Sequence, residues 1–352
     1  MERQFIAPVG KASVEDVVGR LGAIQAQSEQ SVELSVGLRR AKSAYGDVTA
    51  ALVDGRLIKA FTFRGATHLM TPQDAGIYLR VRAAGRQWEL RSWQTFYKLT
   101  AADWPDFRAY VRDALAAGPL TLEELGAALA ADRRYKHLAK FFPDRPWTLI
   151  KALMWQGDMC FAAPIAGRAT FQRLDANPRW PGMPELDDAG RRATEHYFAA
   201  YGPATPAHLQ HWLGEGLSAG RKRVSGWFED LRGRLAEVSS EGQPAFALEE
   251  HLSSLMQSKP TDAVRLLPAY DQWVMGAGTN DANVVPVTNR ALVSGGRNVV
   301  VVGGVVAGIW ALKGDDLKID WFKPRGAPTG AAVATEVERI AAILGRTIHA
   351  DV

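Results

Sequence analysis

The 352-residue chain contains one cysteine, Cys160. A lone thiol forms no internal disulfide and supplies no multi-cysteine zinc site, which excludes a disulfide-stapled secreted domain. Cys160 lies in the apolar run Met159 to Ile165 and reads as a buried strand thiol rather than a nucleophile. Long hydrophobic runs are also missing. The longest uncharged apolar stretch, Val299 to Leu312, is too short for a transmembrane helix and is interrupted by glycines. Residues 1–8 hold no apolar signal core, so the expectation is a soluble, cytoplasmic protein with no membrane partner. No Gly-x-Gly-x-x-Gly is present, and no Lys-Ser/Thr follows the glycine pairs, which removes the phosphate-loop signatures. His208 and His211 stand three apart with no cysteine or carboxylate obviously beside them, and read as surface or packing residues. The sequence therefore calls for no metal and no cofactor.

What is present is ordinary globular material: 47% hydrophobic and 23% charged residues, too apolar for a disordered chain. At about 150 residues per domain, the length suggests roughly two domains or a few smaller modules. Lys and Arg total 42 against 38 Asp and Glu, a net charge of +4. The excess is mild but clustered: Arg39, Arg40 and Lys42; Arg80, Arg82, Arg86 and Arg91; Arg133, Arg134, Lys136 and Lys140; Arg221, Lys222 and Arg223. Such clusters suit a polyanion such as DNA, and equally suit solvated helix faces balanced by nearby acids.

An internal repeat sets the organisation. Gly118-Pro119-Leu120-Thr121-Leu122-Glu123-Glu124-Leu125 and Gly202-Pro203-Ala204-Thr205-Pro206-Ala207-His208-Leu209 share the pattern Gly-Pro-x-Thr-x-x-x-Leu. Each threonine stands where a helix N-cap belongs, and Glu124 completes a capping box with Thr121. Amphipathic helical patterns precede both copies, at 104–117 and 189–201. Tryptophan-bearing helical runs follow, at 147–156 and 219–231. Strand-like segments at 158–172 and 235–248 close the units. Helices followed by a two-stranded hairpin are the order of a winged helix. The N-terminal region reads the same way, with helical patterns at 13–23, 31–42 and 48–54 and a hairpin at 57–70.

Beyond residue 262 the pattern changes. Asn298 to Leu312 reads as a hairpin turning at Gly303-Gly304, 317–322 as a further strand, and 331–344 as a helix with Val333, Val337, Ile340 and Ile343 or Leu344 on one face. The expected fold is α+β: three tandem winged-helix modules at 1–100, 101–185 and 186–262, then a small β-subdomain with a closing helix at 263–352.

Leu21-Gly22-Ala23-Ile24-Gln25-Ala26-Gln27, Arg64-Gly65-Ala66-Thr67-His68-Leu69, Leu266-Leu267-Pro268-Ala269-Tyr270-Asp271 and Val305-Val306-Ala307-Gly308-Ile309-Trp310 resemble, in order and spacing, the landmarks of the AlkZ-like DNA glycosylases. The resemblance spans the chain. It implies a C-shaped monomer that holds duplex DNA on a basic surface and hydrolyses the N-glycosidic bond of alkylated purines. N7-alkylguanine is the simplest such substrate, and bulky adducts or interstrand crosslinks are others, often in producer self-resistance. The family's Gln-x-Gln pair maps onto Gln25 and Gln27. Arg64 and His68 map onto DNA or lesion contacts beside the basic residues Arg39 and Arg40, and Asp271 onto a structural landmark. The family hairpin usually reads Arg-Gly-Thr-x-His, whereas Ala66 and Thr67 stand here in the middle positions. That shift moves the hydroxyl to the other side of a strand and leaves a role for Thr67 open.

The chemistry suits a site without a strong acid. An N7-alkylated guanine already carries positive charge and leaves without protonation, so the catalyst positions water beside a developing oxocarbenium ion. A glutamine amide oxygen accepts from water while its NH2 orients a neighbour. Residues i and i+2 diverge on a helix but share a face in extended chain, so residues 24–28 should leave regular helix. On residue types alone, two solvated amides at a helix end is the better reading of Gln25 and Gln27, and the resemblance reverses it. Arg64 and His68 equally suit a wing strand with an exposed arginine and a backbone-bonded histidine. A multi-winged-helix DNA-binding protein or transcriptional regulator without chemistry is the alternative. Three unequal modules in one chain argue against the paired half-sites such a regulator reads.

Overall fold

The computed structural model describes residues 1–142, 147–214, 216, 218–240, 242–322 and 328–350. The chain is a mixed α+β protein. Helix α1 (Val14–Leu21) opens on a capping box, in which Ser13 Oγ accepts from Asp16 N and the Asp16 carboxylate accepts from Ser13 N. Val14, Val17, Val18 and Leu21 form its buried stripe, and Gly22 at φ 76° stops it. The chain then runs through β1 (Ile24–Gln25), α2 (Glu29–Gly37), α3 (Asp47–Val53), β2 (Ile58–Phe61) and β3 (Thr67–Met70). Helices α4 (Pro72–Ala83) and α5 (Arg91–Tyr97) lead to the first repeat unit. That unit comprises α6 (Trp104–Ala114), β4 (Leu120–Thr121), α7 (Leu122–Ala131), α8 (Lys136–Ala139), α9 (Trp147–Trp155), β5 (Met159–Phe161) and β6 (Thr170–Arg173). The second unit comprises α10 (Leu186–Tyr201), α11 (Pro206–Gly214), α12 (Arg221–Leu231), β7 (Leu235–Ser240) and β8 (Gln243–Leu248).

The two copies of the repeat do the same structural work. Thr121 closes its capping box with Glu124, and Thr205 Oγ1 accepts from His208 N at 3.1 Å. Just before each capped helix the chain pairs with the last strand of its own hairpin. In the first copy Leu120 and Thr121 face Phe171 and Thr170; in the second, Ala204 bridges Phe246.

Contacts divide the chain into two compact units, each discontinuous in sequence. One comprises Met1–Ala50, Thr194–Trp212 and Phe228–Val352; the other comprises Ala51–Ala193 and Leu213–Trp227. Within the second, five strands run in the order β3-β2-β5-β6-β4. The hairpins expected to close two separate modules therefore share one sheet, joined where Lys59 faces Phe161. Pairing β2 with β5 covers an edge that each hairpin alone would leave open.

The first unit is built on its C-terminal region: α13 (Leu252–Gln257), β9 (Val264–Leu267), α14 (Gln272–Ala277), α15 (Arg290–Ser294), β10 (Asn298–Val302), β11 (Val305–Lys313), β12 (Asp316–Trp321), α16 (Gly330–Leu344) and β13 (His349–Ala350). The sheet order is β13-β12-β11-β10-β9. Gly303 and Gly304, at φ 57° and 92°, make the tight turn between β10 and β11, where side chains other than glycine are strained. Val333, Val337, Ile340 and Ile343 are the buried face of α16 and pack with Leu34, Leu38, Leu266 and Val300 into one core. Gly37 lets α2 approach α16, since a Cβ there would stand 3.0 Å from Ile343. Strand β9 is not marked in the sequence, because four residues are too few to establish a period.

Candidate active site

The segment between α1 and α2 is not helical. Gly22 turns it out of α1, residues 24 and 25 are extended, and Ser28, extended at φ −132°, starts α2 by accepting from Ser31 N at 3.2 Å. Side chains alternate along it: Ile24 and Ala26 are sealed in the core at 0% and 1% exposure, while Gln27 is exposed. Gln25 is buried, at 7% exposure. Neither glutamine side chain makes a hydrogen bond to another described residue.

Both ends of this segment are tied down by distant residues of the same unit. Tyr201 Oη donates to Leu21 O at 2.7 Å and stands 3.2 Å from Gln272 Oε1. Burial pushes the Tyr201 phenol well above its ordinary value, so it remains a protonated donor. Ser31 Oγ donates to Ala269 O at 3.2 Å. Tyr201, Gln272 and Ser31 carry no motif that marks them in the sequence.

Behind the segment lies a buried ion pair. Arg39 Nη1 and Nη2 each reach an Asp271 carboxylate oxygen at 2.7 Å, and both side chains are 0% exposed. Arg39 also donates to Gln4 O and Ser35 O, while Asp271 accepts from Ser35 Oγ and caps α14 through Trp273 N. The expectation that Arg39 contacts DNA is corrected by this geometry: a sealed, bidentate guanidinium reaches no phosphate, and its work is internal. Arg40 is partly exposed but already paired with Asp47 at 2.7 Å.

The β2–β3 hairpin gives Arg64 and His68 different places. Arg64 is exposed at a left-handed φ of 49°, followed by Gly65 at φ 72°. His68 is 2% exposed and meets the Phe63 ring edge-on, with centroids 5.3 Å apart. Its Nδ1 lies 2.8 Å from Thr62 Oγ1 and 3.2 Å from Ala66 O. Burial, reinforced by the Arg64 guanidinium, pushes the imidazole from 6.5 down to about 3. A neutral, enclosed histidine braces the hairpin, and the expectation of a direct lesion contact at His68 is corrected accordingly.

The basic clusters are likewise less free than their charge suggests. Arg82 is buried with its guanidinium 3.7 Å from the Trp155 ring centre, Arg134 pairs with Asp132, and Arg80 with Glu185. Arg133, Lys136, Arg221 and Lys222 remain exposed. The apolar run around Cys160 is a strand, and burial pushes the thiol up to about 12, which suits packing and not nucleophilic attack.

The described residues include no helix long and apolar enough to cross a membrane. Residues 18–343 match the family model described as DNA glycosylase AlkZ-like. The chain is 33% identical to an interstrand DNA cross-link repair glycosylase of Streptomyces sahachiroi, over 98% of this chain and 94% of that protein. The solved structure of the Streptomyces sahachiroi DNA glycosylase AlkZ superposes with a TM-score of 0.93 at 32% identity, covering all of this chain and 96% of that one. A match of this extent, over a fold that holds the Gln-x-Gln segment outside its helices, shows that the chain belongs to the AlkZ-like family and is a DNA glycosylase.

Proposed function

We propose that this glycosylase hydrolyses the N-glycosidic bond of alkylated purines in duplex DNA, N7-alkylguanine above all, and that Gln25 and Gln27 position the attacking water. The observation that carries the reading is the pair of amides without partners among the described residues on a clamped, non-helical segment. The cationic base departs without a proton donor, so a site of neutral amides suffices, and preorganisation supplies the gain. That the similar Streptomyces protein is named for interstrand crosslinks supports extending the substrate range to bulky adducts and crosslinks.

The repeat units, each a run of helices closed by a hairpin whose last strand pairs with the residues before the capped helix, support winged-helix modules at 101–185 and 186–262. A third module at 1–100 and a β-subdomain at 263–352 complete the assignment, in a protein that acts in the cytoplasm as a monomer on DNA. Arg64, exposed at its hairpin tip, is the candidate phosphate or lesion contact, with Arg40 secondary.

Free-base release from an N7-methylguanine duplex under single-turnover conditions tests the reaction. Release by the wild type and its loss in Gln25→Ala and Gln27→Ala is the expected result; unchanged rates in both variants would overturn the glutamine mechanism. Duplex affinity should fall with salt at a log–log slope of roughly −0.9 per neutralised phosphate, with little dependence on sequence.

A further inference from the structure

A cavity of about 390 Å³ opens beside Gln27 within the first unit. Gln27, Gln30, Asn298, Tyr270, Trp310 and Leu312 are among its walls, and among the described residues no charged side chain lines it. Gln25 is absent from the lining, so a group that fills the cavity is held next to the proposed reacting bond and not at it. An uncharged wall in a protein that binds a polyanion is a poor seat for phosphate, because it offers no counter-charge. Neutral polar groups share the wall with Tyr270, Trp310 and Leu312, and such a mixed, uncharged lining suits a flat, neutral group instead.

Tyr270 is the most constrained part of that wall. It holds a left-handed φ of 61°, a conformation bulky side chains rarely adopt and which persists only where the surroundings over-determine it. The surroundings do so here. Ala269 N donates to Asn298 Oδ1 at 2.8 Å, Ala269 O accepts from Ser31, and Asp271 is locked to Arg39. The ring's hydroxyl end presses on Gly296, where a Cβ would come within 2.2 Å of Tyr270 Oη. The hydroxyl makes no hydrogen bond to a described residue, so the ring is not held there for an internal bond.

We propose that the cavity beside Gln27 receives the planar, uncharged substituent carried by an alkylated base, and that Tyr270 stacks on it and so determines specificity. The proposal rests on the assignment of Gln25 and Gln27 to the reaction, because that assignment puts the cavity beside the modified base. It gives Tyr270 no part in bond cleavage.

The test compares single-turnover release by the full chain from two duplexes, one with N7-methylguanine and one with an N7-(naphthylmethyl)guanine. Aromatic stacking energies place the expected loss for Tyr270→Ala on the naphthylmethyl adduct roughly 10-fold beyond its loss on N7-methylguanine. Tyr270→Phe keeps the ring and should match wild type on both. Tyr270→Leu fills the space without a ring, and should reproduce the selective loss even where the alanine variant folds poorly. Equal slowing of both substrates by Tyr270→Leu, or of neither, overturns the proposal. Should the wild type release neither base, the glutamine reading fails by itself. The cavity is then judged by affinity for the naphthylmethyl duplex relative to undamaged duplex: a ratio lowered in Tyr270→Leu supports it, and an unchanged ratio overturns it.

Discussion

The Gln25–Gln27 segment and the Arg64–His68 hairpin both carry the family resemblance, and the fold treats them in opposite ways. The glutamines stand on a non-helical segment with no hydrogen-bond partner among the described residues, fastened at the flanks by Tyr201 and Ser31. In the hairpin, the histidine is turned inward onto Thr62 and Ala66, and only Arg64 faces solvent. The ion pair of Arg39 and Asp271 sides with the histidine, since it is sealed and each guanidinium nitrogen donates to a protein oxygen. A motif residue can thus be left open to a ligand or turned inward to hold its own segment in place. Hydrogen-bond accounting separates the two cases: the glutamine amides have no partner among the described residues, whereas His68 and Arg39 are bonded to protein groups.

The sharpest way to break this comparison is Arg39→Ala. It leaves the Asp271 carboxylate buried without its cation, which should destabilise the fold by about 3–5 kcal/mol. Arg40→Ala removes a partly exposed partner of Asp47 and should cost about 0–1 kcal/mol. Urea unfolding of both variants checks the contrast. An Arg39→Ala protein with wild-type stability and weakened duplex binding would return Arg39 to the DNA surface.

Next in size come the glutamines. Gln25→Ala and Gln27→Ala should each slow N7-methylguanine release by up to ~10²-fold, as for loss of one preorganised polar contact, with Tm and duplex affinity close to wild type. The double variant should lose less than the product of the singles, because two amides holding one water act as a unit. Rates that multiply fully would mean the amides act on different groups.

The features legible in the sequence are those written over short distances. The Thr121 capping box, the Gly303–Gly304 turn and the buried face of α16 each depend on residues within a few positions of one another, and each stands where the pattern puts it. The departure from helix at residues 24–28 was also readable, because i and i+2 can share a face only in extended chain. What was hidden is long-range. Arg39 meets Asp271 across 232 positions and Tyr201 meets Leu21 across 180, and no local period marks such partners. Arg39 therefore read as one more surface cation. His68 read equally well inside or outside, since a strand position fixes its face but not which face is covered.

The smallest effect is also the most specific to the hairpin: the pH dependence of stability that His68 contributes. Its folded value of about 3 lies below the 6.5 of the unfolded chain. Above pH 6.5 both states leave the imidazole neutral, and its burial carries no titration penalty. As pH falls through 6.5 the unfolded state takes a proton that the folded state refuses, so stability is lost progressively until the folded value is reached. The loss approaches about 1.4 kcal/mol per pH unit from this one group. His68→Gln keeps a polar side chain and removes the titration. The pH slope of unfolding free energy between pH 6 and pH 5 should therefore be shallower in the variant than in wild type, even though the variant starts from a lower stability at pH 8. Parallel slopes would mean that His68 titrates freely in the folded protein. The imidazole would then be reachable from solvent, and the hairpin would present its histidine just as the first segment presents its glutamines.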